Sequence, residues 1–552
     1  MRGACLGWLA AIFLAGCSEA PQKRPEVGAL RLRPTRGYIL ITFDALRSDH
    51  LGAYGYERST SPFFDQLARR GILFERAVAP YPSTLVSNMS LFTGLLPEEH
   101  GVYPPSGVLS PRIETLPERL RRHGFRTAGH TEGGFMAGGY GFARGFEEFT
   151  DTPYEAETDM ERTFSRGLGF LRRLGERERF FLFLHTYSPH DPYDPPPAYR
   201  SLFLSGDQIV GPAPNGATLK AINSGQLAIE PERLVYFKAL YDASIRYAYD
   251  ALRKFFEQLQ SLGLAEDTTV FITADHGEEF LEHGKVGHTQ LYPECLQVPL
   301  LIVHPDLAEG VRIARPVSTV DLAPTLLESA GLEPLERISG RSLVPLLTAS
   351  EGGPPAAVYA EVIDEATVRT LIGEHEERIY QLLVFEPTPD PAGTWISRSV
   401  SFHTATRQLE FEAQSFHRPR AVRLSVDGVA HGGFEVETSW RPVKIELPHS
   451  NRSLRLVTLT AEGCNAPAQL SLGDDDRCLS VQIRGMPLQR FELYDLSHDI
   501  GATVDLAESR AAVRRGMARQ LDDYRRKLVA EPGKATLTEE SRETLRALGY
   551  LD

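Results

Sequence analysis

The chain reads as an α/β protein: an α/β sandwich on a central sheet, followed by a smaller α+β part that carries a β-sandwich insertion. Three observations predict this. Apolar runs alternate with helical patterns from residue 37 to about 345. Those runs are continuous, as in strands covered on both faces. After residue 345 the composition shifts to short alternating strands separated by turn residues.

The elements follow in order. Tyr38-Ile-Leu-Ile-Thr-Phe43 is a buried strand, as are Phe180 to Leu184, Thr269 to Thr273 and Leu300 to Val303. Phe237, Tyr241, Ile245, Ala248, Leu252 and Phe255 recur three or four apart, which predicts a helix with an ordinary core-facing stripe. Ala421 to Val426, Val443 to Leu447 and Leu454 to Leu459 alternate as strands, with Asp427-Gly428 as a turn. Helical pattern returns over 508–529 and 537–547. The expected division is 1–17 signal, 18–36 linker, 37–345 catalytic domain, 346–399 start of a C-terminal subdomain, 400–485 inserted β-sandwich and 486–552 end of that subdomain.

Composition bounds the function. The 552 residues include 59 basic and 73 acidic side chains, a net charge of −14. No long basic run appears, which argues against nucleic acid as a partner. No apolar stretch reaches the roughly 20 residues a membrane-spanning helix needs.

The N-terminus reads as an address. Arg2, the apolar run Leu6 to Leu14 and then Ala15-Gly16-Cys17 form a secretory signal. Leu14-Ala-Gly-Cys17 resembles the bacterial lipobox, which implies lipidation at Cys17. Ser18 in the next position then implies the outer membrane, with the protein held to the membrane by its lipid anchor. The alternative is a plain cleaved signal. Residues 18–36, with Pro21, Pro25 and Pro34, read as a tether. Cys464 and Cys478 lie close enough in sequence for a disulfide, with two separate thiols as the other reading. Cys295 reads as an inert core residue.

Ligands in open α/β sheets bind beyond the carboxyl ends of the strands. Asp44 follows the first strand, His185 and His190 follow Leu184, and Asp275-His276 follow Thr273. Carboxylates and imidazoles at three strand ends suit a divalent metal. Tyr81-Pro-Ser-Thr84 precedes an apolar helical run that ends at Gly94. A hydroxyl there meets unpaired N–H groups and suits either a nucleophile or a simple helix cap. The residues alone leave those two readings even.

The motifs Ile41-Thr-Phe-Asp44, Thr84 to Gly94, His185-Thr-Tyr-Ser-Pro-His190, Thr273-Ala-Asp275-His276-Gly277-Glu278 and Gly287-His288 occur in this order. Together they resemble the sulfatase family of the alkaline phosphatase superfamily. The resemblance covers about 38–345 and 488 to the end, and implies an alkaline-phosphatase-like α/β/α sandwich with a mixed central sheet. It implies one divalent metal ion (Mn, Zn, Mg or Ca) on Asp44, Asp275, His276 and Thr84. Thr84, ten residues before Gly94, falls on the nucleophile position. His190 and His288 match positions that hold the substrate oxyanion or protonate the leaving group, and His185 is a weaker match to that job.

The departures redirect the chemistry. Sulfatases proper place Cys or Ser, then Pro and Arg, where this chain has Thr84, Val86 and Asn88. Threonine cannot give their formylglycine. Glu132, in Gly129-His-Thr-Glu132-Gly-Gly134, stands where they carry a sulfate-binding Lys. Threonine nucleophiles in the superfamily belong to phosphodiesterases and phosphoglycerol or phosphoethanolamine transferases. The expectation is therefore a metal-dependent hydrolase or transferase acting through Thr84 on a phosphate ester of a small molecule, lipid head group or glycan. A sulfuric ester hydrolase with an atypical nucleophile, and a non-catalytic glycan- or lipid-binding protein, are the alternatives.

Overall fold

The structure is a computed structural model; it describes residues 32–151, 159–204 and 211–348, most of 357–525, and 533–534. Cys17, Cys478 and the helical pattern at 537–547 lie outside the described residues.

The catalytic domain is built on a nine-stranded mixed sheet. Its strands are β1 (Gly37–Phe43), β2 (Ile72–Val78), β3 (Arg126–Thr131), β4 (Glu148–Asp151), β5 (Phe180–Thr186), β6 (Thr268–Ala274), β7 (Gln297–Val303), β8 (Val311–Ile313) and β9 (Val317–Ser318). The order is β8-β2-β7-β6-β1-β5-β3-β4, with β9 beside β2. β1 pairs parallel with both β5 and β6, whereas β7 runs antiparallel to β2 and β6. Every residue of β1, β5 and β6 is buried, which is why their sequences are continuous apolar runs.

Three helices matter for the site: α1 (Thr84–Thr93), α2 (Asp159–Arg172) and α3 (Pro231–Ser261). The α3 stripe at Phe237, Tyr241, Ile245, Ala248, Leu252 and Phe255 is buried, as its spacing requires. α1 is buried on all sides and stops at Gly94, whose φ of 65° closes it with an N–H to the Ser90 carbonyl. Among the described residues no helix is long and apolar enough to cross a membrane. Arg33 pairs with Asp267 and Asp306, and Thr35 bonds Thr269, so the described end of the tether is docked on this domain.

The C-terminal subdomain is a four-stranded antiparallel sheet of 357–363, 366–375, 378–387 and 490–495. The helix Ala511–Arg525 packs on it. Between its third and fourth strands the chain forms two four-stranded antiparallel sheets with a shared core around Phe402, Leu424, Val457 and Leu459. Asp427 and Gly428 have φ of 52° and 79°, the two-residue turn that joins Val426 to Val429. Cys464 is disulfide-bonded.

Candidate active site

Parallel pairing sets the site. Thr42 is level with His185 and Phe43 with Ala274, so β5, β1 and β6 end together. Asp44, His185 and Asp275 therefore emerge on one rim, and the Asp44 N–H donates to the Thr186 carbonyl across it. The turn after β6 lies against the chain at 294–295: the Gly277 N–H donates to the Cys295 carbonyl. A Cβ on Gly277 would sit 1.9 Å from the Glu294 carbonyl oxygen, so only glycine lets Asp275 and His276 reach the rim.

Helix α1 supplies the hydroxyl. Ser83 occupies the N-cap but makes no side-chain cap bond, and Thr84 is the first helical residue. The Thr84 hydroxyl instead donates to Asp44 Oδ2 at 3.1 Å and lies 3.5 Å from His276 Nε2. The capping alternative that the sequence left open is thus absent from the geometry. Asn88, one turn on, donates to Asp275 Oδ2 and to the Thr84 carbonyl, both at 2.9 Å. It ties the helix to the end of β6.

The histidines divide into two groups. His276 Nδ1 donates to the Gly277 carbonyl at 2.9 Å, which leaves Nε2 as a lone pair 3.3 Å from Asp44 Oδ1. His185 Nε2 lies 3.7 Å from Asp44 Oδ2 and 3.9 Å from Asp275 Oδ2. His190 and His288 form the second group, their Nε2 atoms 3.2 Å apart. His190 Nδ1 donates to the Asp191 carbonyl and His288 Nδ1 to the Pro82 carbonyl. The His288 ring packs on His276 with centroids 4.2 Å apart, so the two groups are contiguous.

The electrostatics fit a cation. Asp44 is fully buried, and burial and the neighbouring Asp275 carboxylate push its pKa well above the carboxylate range. Its Oδ1 has no hydrogen-bond partner. Burial holds His185 and His276 below their ordinary value, so both offer neutral lone pairs. Asp44, His185 and Asp275 place ligand atoms within 4.8 Å of one another, a group able to hold a metal ion. Two buried carboxylates beside neutral imidazoles are costly unless a cation joins them.

These donors on an α/β sheet match a known pattern. Residues 36–332 match the family model described as Sulfatase, and 281–390 match the model described as N-sulphoglucosamine sulphohydrolase, C-terminal. The chain belongs to the sulfatase family. Members of this family are ester hydrolases and typically metal-dependent, and the ester hydrolase class extends to this chain. A sulfatase of Formosa agariphila is 25% identical over 376 residues, which is 57% of this chain and 73% of that protein. Two solved structures share the fold. One, a protein in complex with its substrate D-glucosamine-2-N,6-O-disulfate, has a TM-score of 0.59 at 14% identity and covers 90% of this chain and 98% of its own. The other, a phosphonate monoester hydrolase of Agrobacterium radiobacter, has a TM-score of 0.56 at 18% identity and covers 90% and 96%.

Asp44, Thr84, Asp275, His276, His190 and His288, the residues the sequence singled out, all converge here. Glu132 does not face them as a free cation-binding acid: its Oε2 accepts the Tyr187 N–H at 2.9 Å. The Tyr187 hydroxyl donates to the Gly133 carbonyl at 3.0 Å, so this pair clamps the loop after β3 to the loop before His190. The sequence offered His185 both as a strand-end imidazole suited to a divalent metal and as a weaker proton-donor candidate, and the structure sets it near both carboxylates. Its register with Thr42, two residues before Asp44, is the signal that could have found this.

Proposed function

We propose that this sulfatase-family protein is a metal-dependent hydrolase or transferase of phosphate esters that uses the Thr84 hydroxyl as nucleophile, exported and held at the cell envelope by a lipid on Cys17. The observation that carries this reading is the Thr84 hydroxyl, seated at the first turn of α1 and aimed at Asp44 rather than spent on a helix cap. Asp44, Asp275, His276 and Thr84 would hold one divalent ion. When bound, that ion would lower the hydroxyl pKa and polarise the ester oxygen.

The chain's own residues supply the rest. Asp44 accepts the Thr84 hydroxyl proton's hydrogen bond and orients Oγ1. As Oγ1 bonds to phosphorus its proton passes to Asp44, the ester P–O bond breaks, and the departing oxygen takes a proton from the His190–His288 pair. His190 and His288 meet Nε2 to Nε2, and each is fixed by a backbone carbonyl at Nδ1. Burial holds both imidazoles below their ordinary value, so a proton taken up between the two Nε2 atoms is readily given to that oxygen. Water or a second alcohol then releases the phosphoryl group from Thr84.

Family membership favours a second reading, sulfate-ester hydrolysis. One experiment separates them. Protein lacking residues 1–17 is assayed on an aryl phosphate monoester, a phosphate diester and a sulfate ester, with and without Mn²⁺ or Zn²⁺, beside Thr84→Ala. Metal-dependent phosphoester turnover that disappears in Thr84→Ala is the expected result. Sulfate turnover, or activity that survives the substitution, refutes the Thr84 phosphoester reading.

A further inference from the structure

The geometry points to His185 as a ligand of the metal, and to a site built for a first-row transition ion such as Zn²⁺ rather than for Ca²⁺ or Mg²⁺. This rests on the metal-dependent reading above and adds to it a residue and a class of ion.

His185 is fully buried, and neither ring nitrogen has a hydrogen-bond partner. Buried polar groups are nearly always paired. Its Nε2 is aimed at Asp44 Oδ2 and Asp275 Oδ2, yet at 3.7 and 3.9 Å it is too far to bond either. Three groups face one another across a gap that none of them fills. Two are carboxylates and the third is a neutral lone pair, so the missing partner is a cation.

The framework holds this arrangement rigidly. His185 is a residue of β5, paired to β1 through its full length, and Asp44 N–H is bonded to the Thr186 carbonyl. His185 is therefore delivered by a strand, not a loop, two residues short of the level of the carboxylates. With His276, whose Nε2 faces Asp44 Oδ1 at 3.3 Å, the site offers two imidazoles and two carboxylates.

That donor set selects the ion. Calcium takes about six to eight oxygen ligands, and magnesium keeps oxygen ligands and water. Imidazole nitrogen suits zinc and its first-row neighbours. Replacing His185 by an oxygen donor should therefore move the preference toward the hard ions, which a purely structural histidine would not do.

The test uses the full chain, stripped with chelator and reloaded with Zn²⁺, Mn²⁺, Ca²⁺ or Mg²⁺ singly. Bound metal is measured by elemental analysis and competition, and Co²⁺ absorption reports the ligand field. Wild type, His185→Asn and His185→Ala are compared, each with a thermal melt to establish folding. Any such site ranks Zn²⁺ above Mn²⁺, so the decisive readout is the change at residue 185. The expected result is a Zn²⁺ affinity lower by more than ~10-fold in both folded variants, with an altered Co²⁺ spectrum and a smaller Zn²⁺-to-Ca²⁺ ratio in His185→Asn. Folded variants with unchanged affinity order and spectrum overturn the inference, as does a wild type that prefers Ca²⁺. A wild type that binds none of the ions overturns the metal-dependent reading itself. Metal bound without regard to residue 185 overturns only this assignment. Should both variants fail to fold, the Co²⁺ spectrum of the wild type decides: nitrogen ligation beyond one imidazole supports the assignment, and a single imidazole refutes it.

Discussion

Replacing His283 by Gln should weaken the join between the catalytic domain and the C-terminal subdomain, and should do so most at low pH. His283 Nδ1 lies 2.5 Å from Glu294 Oε1, and its Nε2 lies 3.0 Å from the Ala502 carbonyl oxygen. A carbonyl only accepts, so Nε2 carries a proton; the short contact with Glu294 Oε1 places the other at Nδ1. The ring also lies flat on Tyr292, with centroids 3.6 Å apart and planes 4° apart. Burial pulls the ring's pKa down, but the Glu294 bond, the Ala502 bond and the nearby Glu294 and Glu279 charges outweigh it and raise it above the ordinary histidine value. A folded pKa raised above the unfolded one gives stability that is complete below the unfolded value and lost as pH rises through the folded value. The charge-assisted bond is worth about 1.5–3 kcal/mol. The stack adds about 0.5–1.5 kcal/mol whether or not the ring is charged. The difference between wild type and His283→Gln should therefore be about 2–4 kcal/mol in mild acid and shrink toward about 1 kcal/mol in alkali. Urea unfolding of both proteins from about pH 5.5 to about pH 9 measures it. A difference that stays flat, or grows with pH, would refute the assignment of His283 as a charged clamp.

Three further outcomes are expected. Thr84→Val, nearly isosteric, should lower turnover by at least ~10⁴-fold while Thr84→Ser keeps part of it, and a Val variant retaining more than about a hundredth of wild-type activity sinks the nucleophile assignment. Asp242, fully buried, receives His50 at 2.8 Å, Tyr56 at 2.9 Å and Arg58 at 2.5 Å. Asp242→Asn should cost about 3–5 kcal/mol in urea unfolding, and a loss under about 1 kcal/mol would show that the hub is dispensable. Glu132→Ala removes the acceptor for the Tyr187 N–H, so hydrogen exchange at that amide should quicken by about 10-fold or more, with KM for an ester substrate rising; unchanged exchange would contradict the clamp.

Sequence alone determined the layers and most of the reacting groups, because both follow from local pattern. Short continuous apolar runs suit strands buried on two faces, and the residue after such a strand lies at its carboxyl end. Asp44, Asp275 and His276 were legible for that reason, and the motif order carried Thr84, His190 and His288. What the residues alone left even was the job of the Thr84 hydroxyl, since a cap and a nucleophile share one position; its 3.1 Å bond runs to Asp44, 40 residues away, and not to the helix N-terminus. His185 was legible as a strand-end histidine but not as a neighbour of both carboxylates, because that depends on the register of β5 against β1 and of β1 against β6. Asn88 and Glu132 looked like losses from a family motif and proved to be a tie to Asp275 and a clamp on Tyr187. Residue type and spacing along the chain specify which groups are present. Which of them share a proton, a cation or a hydrogen bond is set by contacts between strands far apart in sequence, and those only folding creates.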